Sequence, residues 1–354
     1  MENIFIRQYQ ESGYFVWFDP KSGFSLRTSL TGAEPFWNKR GPELLDISIT
    51  NYCERGCDFC YRASNQTGAF MPLSQYKDII AQAETAGVLQ VALGGGNPNQ
   101  HPKFTDMLRI TREHHIIPTY TTNGQGMSDE IYAASKKYCG AIAVSWYEPF
   151  VDAWKVVEQC CAKDIKVNIH FLLHKESIRA ATQLLRNESD LQKKVNALVF
   201  LNYKPIHSPQ DLCLSDNEDM SDFLSAVYMH SGCKLGFDSC MVSYLMKLEE
   251  NLKLETIEFC EAGRFSAFIS EKGILFPCSF MNDTDCAGID LARTTLEEGW
   301  RFGAEFQQIR QQLAVPGMQL FPIAECKRCI QYPICHGGCP IFPINRCREE
   351  QGYV

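Results

Sequence analysis

The chain has 354 residues, of which 45% are hydrophobic and 21% are charged, and its formal net charge is -8 at pH 7. This composition is typical of a globular protein with room for one large domain and a smaller one. The acidic balance argues against sequence-independent nucleic-acid binding, and no apolar run approaches the ~20 residues of a membrane span. Since the start lacks an apolar stretch of signal-peptide length, we expect a cytoplasmic protein.

Residues 1–42 are predicted to form an amino-terminal β-hairpin segment. Short runs of alternating polarity at residues 14–18 and 24–27 are separated by Pro20 and Gly23. Such a pattern, in which turn residues interrupt strand-like runs, is typical of hairpins.

From residue 44 the pattern changes to a repeated unit of apolar strand, loop and amphipathic helix. A strand is predicted at residues 44–50, followed by a helix that Ser74 would cap and Gly87 would end. Further strands are predicted at residues 89–93, 117–122, 141–144, 167–173 and 197–201, and helices at residues 104–114, 129–138, 151–162 and 178–185.

Six such units imply an α/β fold in which a parallel sheet curls into a partial (β/α)6 barrel. Ligands are then expected at the carboxyl ends of the strands. The repeat stops near residue 250, where cysteines become frequent. We therefore expect the barrel at residues 43–250 and a second, cysteine-rich domain at residues 251–354.

The 17 cysteines are not expected to form disulfides, since the cytosol keeps thiols reduced. Ten of them fall into two spaced groups that are expected to bind metal, and most of the other seven are expected to be small hydrophobic residues of the core. Cys53, Cys57 and Cys60 form a C-x3-C-x2-C loop just after the first barrel strand. Three thiolates on one tight turn can hold three irons of a [4Fe-4S] cluster and leave the fourth iron open. A structural zinc site is the less favoured alternative, because zinc ligands usually come in pairs that close a tetrahedron.

This loop resembles the signature of the radical S-adenosylmethionine (SAM) superfamily, and the resemblance covers nearly the whole chain. Gly95, Gly96, Asn97 and Pro98 are similar to the superfamily's Gly-Gly-Glu-Pro motif, which binds the methionyl amino group of SAM, with Asn in place of Glu. A glycine run also lets the backbone approach a ligand closely. A simple glycine-rich turn remains the alternative.

The resemblance implies four further SAM contacts. Asn123 lies in a Thr-Asn-Gly run like that of the superfamily, and Phe59 resembles the aromatic residue whose backbone meets the adenine. Ser145 lies where related enzymes contact the ribose, and Asn168 could contact the carboxylate or the ribose. For Ser145 and Asn168, a polar side chain satisfied locally at a strand end is an equal alternative.

A second group of cysteines resembles the SPASM domain in every interval, including a Gly-x4-Cys unit at Gly273. A zinc-ribbon explanation is less favoured, since two zinc ions would require eight ligands. The resemblance implies an outer auxiliary [4Fe-4S] cluster on Cys326, Cys329, Cys335 and Cys347, and an inner one on Cys260, Cys278 and Cys339. The expected cofactors are thus three [4Fe-4S] clusters and SAM.

The inner cluster lacks a fourth cysteine from the motif. Many relatives have an eighth cysteine six residues before the first, but Leu254 stands there in this chain. The iron could stay open, or it could be bound by Cys240, by Cys286 or by a substrate thiolate.

The resemblance implies a radical SAM oxidoreductase that modifies peptides. Such a maturase cleaves SAM to a 5′-deoxyadenosyl radical, abstracts hydrogen from a ribosomally made precursor (RiPP maturation) and forms an oxidised thioether, carbon–carbon or ether crosslink. An electron donor such as flavodoxin or ferredoxin is implied. Because the amino-terminal hairpin is small, leader binding is expected to use a separate protein.

Two alternatives are kept. A sulfatase-maturing, formylglycine-forming enzyme would place an Asp base directly after the cysteine of the Gly-x4-Cys unit, where this chain has Ser279, a poor general base at neutral pH. An iron–sulfur electron carrier or redox sensor would need no SAM cleft, so the glycine loop and the strand-end polar residues disfavour it.

Overall fold

The computed structural model describes residues 4–344, except for residues 22, 31, 33, 188, 208, 209, 252–255, 317, 319–323 and 343. The amino-terminal segment forms a small antiparallel sheet of three strands, β1 (Phe5–Tyr9), β2 (Tyr14–Asp19) and β3 (Phe24–Ser29). Its inner face buries Tyr9 and Tyr14 against Phe265, near the larger sheet. The hairpin prediction is thus confirmed, with one strand added.

A ten-stranded sheet forms the centre of the fold. Eight of its strands are parallel neighbours, and seven of these eight lie before residue 250. Six of them lie where strands were predicted, because buried parallel strands appear in the sequence as nearly continuous apolar runs. The seventh, at residues 234–237, is short and was not predicted. In chain order they are β4 (Leu44–Thr50), β5 (Gln90–Gly95), β6 (Ile117–Thr122), β7 (Ile142–Ser145), β8 (Val167–Leu173), β9 (Ala197–Asn202) and β10 (Lys234–Phe237).

Helices connect these strands. They are α1 (Leu73–Ala86), α2 (Phe104–Glu113), α3 (Asp129–Tyr138), α4 (Val151–Ala162), α5 (Ile178–Asn187), α6 (Ser189–Lys194) and α7 (Glu218–Met229). The predicted cap of α1 is wrong: Ser74 lies inside the helix, and the N-cap is Pro72, in extended conformation and without a side-chain cap. Gly87 ends α1 as predicted, with a left-handed φ of 85° that suits glycine.

The carboxy-terminal part continues the same sheet. Strand β11 (Ser266–Ile269) pairs in parallel with β4, and β12 (Ile274–Phe276) and β13 (Ile289–Asp290) follow in antiparallel pairing. Strands on both sides of residue 250 therefore share one sheet, and the domain limits given above stay a prediction. The remaining helices are α8 (Val242–Leu245), α9 (Leu296–Phe302), α10 (Ala304–Ala314) and α11 (Tyr332–Cys335).

A buried tryptophan ties the carboxy-terminal helices to the chain before β4. Trp300 on α9 is fully buried, and its indole N–H donates to the backbone oxygen of Asn38 at 2.6 Å. Arg310 on α10 stacks 3.6 Å from the ring centre of Trp37 and donates to the backbone oxygen of Trp300. Among the helices of the described ranges, none combines the length and the apolarity needed to cross a bilayer.

Candidate active site

A cavity of about 470 Å³ lies at the carboxyl ends of the parallel strands, a size ordinary for small-molecule sites. It brings together eight of the residues predicted for the cluster and for SAM. They are Cys53, Cys57, Phe59, Cys60, Gly95, Gly96, Asn123 and Ser145. The position follows from the fold, because the loops after parallel strands all meet at this edge.

The three cysteines of the loop after β4 form one group. Cys57 interacts electrostatically with both Cys53 and Cys60. Backbone hydrogen bonds shape the loop: the N–H of Cys60 donates to the backbone oxygen of Cys57 at 3.1 Å, and that of Cys53 donates to the oxygen of Asn65 at 3.0 Å. The arrangement fits a cluster held by three thiolates on one turn.

The glycine loop after β5 packs directly on the cysteine loop. The N–H of Gly96 donates to the backbone oxygen of Thr50 at 2.7 Å, and a Cβ on Gly96 would lie 2.0 Å from the backbone oxygen of Tyr52. Gly95 has a φ of +107°, and its Cβ would lie 2.0 Å from the oxygen of Thr50. Glycine is therefore required here for close backbone approach as well as for conformation.

Asn97 is buried behind the cavity instead of lining it. Its side-chain N–H donates to the backbone oxygen of Gln125 at 2.9 Å, and its Oδ1 accepts from the Thr122 hydroxyl and the Asn123 N–H, both at 3.2 Å. Pro98 is likewise buried, at the start of the 3-10 turn Pro98–Gln100. The structure thus gives both residues a place in the scaffold of the loop, and Asn97 holds its neighbour Asn123.

Asn123 reaches the cysteine loop. Its side-chain N–H donates to Sγ of Cys53 at 3.4 Å, while its Oδ1 accepts from the N–H of Gln125 at 2.9 Å. Hydrogen bonds to ligand sulfurs stabilise thiolates and tune a bound cluster.

Asn168 lies at the amino end of β8, away from the cavity, and its Oδ1 accepts from the side chain of Asn196 at 2.8 Å. It lines a different, smaller cavity. His170, two residues further along the same face of the strand, lines the main cavity in its place. The structure thus shows the alternative given for Asn168, a polar side chain whose hydrogen bond is satisfied locally.

His170 was not among the predicted contacts, because the resemblance pointed to Asn168 on the same strand. Its Nδ1 lies 3.2 Å from the hydroxyl oxygen of Thr121. Burial lowers the pKa of His170 to about 4, so the imidazole is neutral at pH 7. His170 lies closer to the carboxyl end of β8 than Asn168 does, and the rule that ligands lie at that end of parallel strands favours it over Asn168.

Two charged side chains that sequence reasoning also missed line the cavity. Burial, with a smaller contribution from the charge of Glu261, raises the pKa of Asp46 on β4 to about 7. Lys204 forms an ion pair of 2.5 Å with Asp238 and lies 4.6 Å from the ring centre of Phe280. Burial is the largest single effect on Lys204 and disfavours its charged form, but Asp238, Cys240 and Cys339 together outweigh burial, and the pKa of Lys204 is raised.

An aromatic group covers the cysteine loop. The ring of Phe59 meets Tyr147 edge-on at 5.3 Å between centres, and the guanidinium of Arg55 stacks 4.5 Å from the same tyrosine ring. Tyr147 also forms a side-chain hydrogen bond with Cys57. Tyr147, two residues after Ser145, thus packs on the cysteine loop.

The cysteines of the SPASM-like segment share a local backbone pattern. Cys260, Cys278 and Cys339 each accept a hydrogen bond from the N–H two residues further on, and for Cys339 the donor is Ile341 at 3.4 Å. Cys335 accepts from Gly337 in the same way, also at 3.4 Å. Repeated N–H···S bonds of this kind suit sulfurs that carry negative charge as metal ligands.

The assignment of these cysteines to two clusters stays a prediction. Cys347 and Leu254 lie outside the described residues. In the part of the chain that the structure describes, no three His, Cys, Asp or Glu side chains converge on a single metal ion. The assignment therefore depends on sequence spacing and on the neighbourhood of the thiols.

One family profile matches the part of the chain that forms most of this site. Residues 47–184 match the sequence profile of the Radical SAM superfamily. This part of the chain is accordingly a Radical SAM domain, and such a domain implies a [4Fe-4S] cluster and SAM as cofactors.

The chain is also similar to proteins and solved structures that carry names. The chain is 23% identical over 323 residues to "Mycofactocin maturase MftC" of Mycobacterium ulcerans (strain Agy99), covering 84% of this chain and 83% of the relative. Among solved structures, Streptococcus suis SuiB bound to S-adenosylmethionine superposes with a TM-score of 0.72 at 15% identity, over 96% of this chain and 95% of that one. "Native anSMEcpe with bound AdoMet and Cp18Cys peptide" gives 0.61 at 15% identity, over 84% and 88%. At these identities the solved structures show a common fold.

Proposed function

We propose that this chain is a peptide maturase that uses SAM to install an oxidised thioether, carbon–carbon or ether crosslink in a ribosomally made precursor. The observation that carries the proposal is the single cavity that joins the cysteine loop, the glycine loop and the polar residues of several strand ends. The similarity to a protein named a maturase over 84% of the chain supports a peptide substrate. So does the likeness in fold, with a TM-score of 0.68, to SuiB bound to the precursor peptide SuiA.

The residues of the cavity have distinct roles in this proposal. Cys53, Cys57 and Cys60 hold the cluster, and Asn123 steadies it through Cys53. When bound, the cluster and SAM supply the 5′-deoxyadenosyl radical that abstracts a substrate hydrogen. Backbone groups at Gly95 and the remaining predicted contacts, Phe59, Gly96 and Ser145, orient SAM.

Asp46 is the proposed proton acceptor. Forming a crosslink from a substrate radical requires the loss of one electron and one proton, so a base must lie within the cavity. Since burial raises the pKa of Asp46 to about 7, its carboxylate is matched to proton transfer near neutral pH. His170, neutral at that pH, is better suited to hydrogen bonding with SAM or the substrate.

The proposal includes two auxiliary [4Fe-4S] clusters, which the ligands assigned above would hold and which would supply an acceptor for the electron that the substrate loses. It also includes a flavodoxin- or ferredoxin-like electron donor, a separate leader-binding protein and a cytoplasmic location. The acidic chain is not expected to bind nucleic acid or a membrane.

Formylglycine formation on sulfatases is less favoured. Ser279 lines the cavity at the position where a carboxylate base would be required, and its hydroxyl forms a side-chain hydrogen bond with Tyr61. A serine there cannot act as a base near pH 7. A pure electron carrier is also less favoured, because it has no use for a cavity lined by strand-end polar groups.

The test uses the anaerobically reconstituted full chain with reductant, SAM and candidate precursor peptides from neighbouring genes. We expect 5′-deoxyadenosine and methionine as products, and a peptide that has lost two hydrogens in a bond that survives thiol reduction. Replacing Cys53, Cys57 and Cys60 together by Ala should remove about four irons and abolish SAM cleavage. Cys161→Ala, at an exposed thiol, is the control. Retained cleavage in the triple variant would contradict the assigned cluster site.

A further inference from the structure

Cys240 lies beside the three cysteines assigned to the inner auxiliary cluster. It sits in the 3-10 turn Ser239–Met241, directly after β10, and its backbone oxygen accepts from the side-chain N–H of Asn202 at 3.2 Å. Strand β10 therefore fixes its position, outside the cysteine motif of the SPASM-like segment.

The Cys240 thiol contacts that group directly. A side-chain hydrogen bond joins it to Cys339. It also interacts electrostatically with Cys260 and with Cys278. Cys260 and Cys278 pack against the same small apolar cluster around Ile309, so the four thiols share one neighbourhood.

Cys286, the other candidate in the chain, has different surroundings. Its thiol accepts from the N–H of Gly288 and interacts with the charge of Glu305. Neither neighbour belongs to the inner group. The sequence did not choose between Cys240 and Cys286 as the fourth ligand, whereas the tertiary structure places only Cys240 beside the inner group.

We propose that Cys240 is the fourth thiolate ligand of the inner auxiliary cluster, together with Cys260, Cys278 and Cys339. The inference rests on the auxiliary clusters of the proposed function and replaces the idea that a substrate thiolate binds an open iron there. A site with four thiolates is closed, so the inner cluster exchanges electrons without binding the peptide.

Lys204 connects this site to the main cavity. Its ammonium group lines the cavity and interacts electrostatically with Cys240 and Cys339, and also with Cys278. A buried positive charge beside four thiolates offsets part of their negative charge and favours the reduced cluster. The inner cluster would therefore lie next to the cavity, as an acceptor of the substrate's electron must.

The test measures iron and spectra, so it does not depend on any peptide. In a background with Cys53, Cys57 and Cys60 replaced by Ala, the reconstituted full chain should bind about eight irons. Adding Cys240→Ala should lower this to about four, or to about seven with the EPR signal of an oxidised [3Fe-4S] cluster. Cys286→Ala in the same background is the control and should keep about eight irons with unchanged spectra.

Cys240→Ser provides a second measurement if the alanine variant does not fold. We expect an altered EPR or Mössbauer spectrum of one auxiliary cluster, because an oxygen replaces a sulfur ligand or the iron is lost. Unchanged iron and spectra in either Cys240 variant, or loss of the cluster in Cys286→Ala alone, would overturn the assignment. A failure to modify peptides would leave these readouts unaffected, so the two proposals fail separately.

Discussion

Replacing Gly96 by Ala tests whether the glycine loop holds the cysteine loop in place. The added Cβ would lie 2.0 Å from the backbone oxygen of Tyr52 and 3.0 Å from the carbonyl carbon of Asn51. Both neighbours are backbone atoms just before Cys53, so neither can move aside as a flexible side chain would. Since real Cβ contacts lie beyond 3.0 Å, the two loops must separate by at least about 1 Å.

The cost of this shift follows from two effects. It strains the backbone bonds from Gly96 to Thr50, 2.7 Å, and from Asn97 to Tyr52, 2.9 Å. Each contributes about 1 kcal/mol net, so their loss would destabilise the folded chain by roughly 2 kcal/mol. A displacement of about 1 Å at the reacting centre lowers a rate by about 10²-fold. We therefore expect SAM cleavage to fall by about that factor.

The assay combines iron content, the EPR spectrum of the reduced cluster with SAM, and the rate of 5′-deoxyadenosine formation. Gly94→Ala is the matched control, because its Cβ would meet nothing within 4 Å. Since Gly94 lines the cavity, this control is judged by iron content and by the spectrum without SAM. If Gly96→Ala cleaves SAM at the wild-type rate with an unchanged spectrum, the packing argument is refuted.

Three further outcomes are expected. Arg27→Met leaves three carboxylates without their partner and should lower the free energy of unfolding by about 3 kcal/mol. The control Arg293→Met, at an exposed side chain, should change that free energy by less than about 0.5 kcal/mol. Equal midpoints of urea unfolding for the two variants would contradict the predicted difference. Because burial raises the pKa of Asp46 to about 7, the folded chain keeps a proton that the unfolded chain releases between about pH 4 and pH 7, and stability falls as pH rises through that window. Asp46→Asn should remove this loss of stability, so the variant should gain at most about 4 kcal/mol over the wild type at pH 8 and nothing at pH 4. If urea unfolding shows the same gain at both pH values, the raised pKa of Asp46 is disproved. Cys329→Ala or Cys335→Ala should lower solubility and crosslinking while SAM cleavage partly survives, because the outer cluster ties together a segment with little core; wild-type solubility and crosslinking in both variants would exclude that role.

Much of the barrel could be predicted from periodicity alone. Strand β8 and helix α4 were predicted with the bounds that the structure gives, because a buried strand and an amphipathic helix each have their own spacing of apolar residues. The short strand β10 was missed, since its four residues, Lys234–Phe237, include a glycine and an exposed lysine. Its place in the sheet comes from pairing with β9.

Some features of the candidate site could likewise be predicted from the sequence, and others could not. The spacing of Cys53, Cys57 and Cys60 by itself predicted a cluster loop, because three ligands on one turn are a local property of the chain, and the structure places all three at one cavity. Asn97 matched a motif, yet only the packing of the loops decided that its amide turns inward to Asn123. A motif gives the position of a residue in the chain, but the direction of its side chain depends on contacts made after folding.

Asn168 and His170 show what alternation along a strand leaves open. Both side chains lie on the same face of β8, so hydrophobic pattern could not choose between them. The choice depends on which end of the strand faces the cysteine loop. In the parallel sheet His170 is closer to that end than Asn168, and it lines the cavity.

The sequence by itself determined the resemblance to the radical SAM superfamily, the order of the barrel elements and the cysteines of both motifs, because each is encoded by spacing within a short stretch of chain. Only the tertiary structure decided that Cys240 lies beside Cys339, 99 residues later in the sequence. The same holds for Asp46, which acquires its raised pKa from burial in the cavity. Contacts between distant segments and the loss of water around a charge are produced by packing, and no local pattern of residues records them.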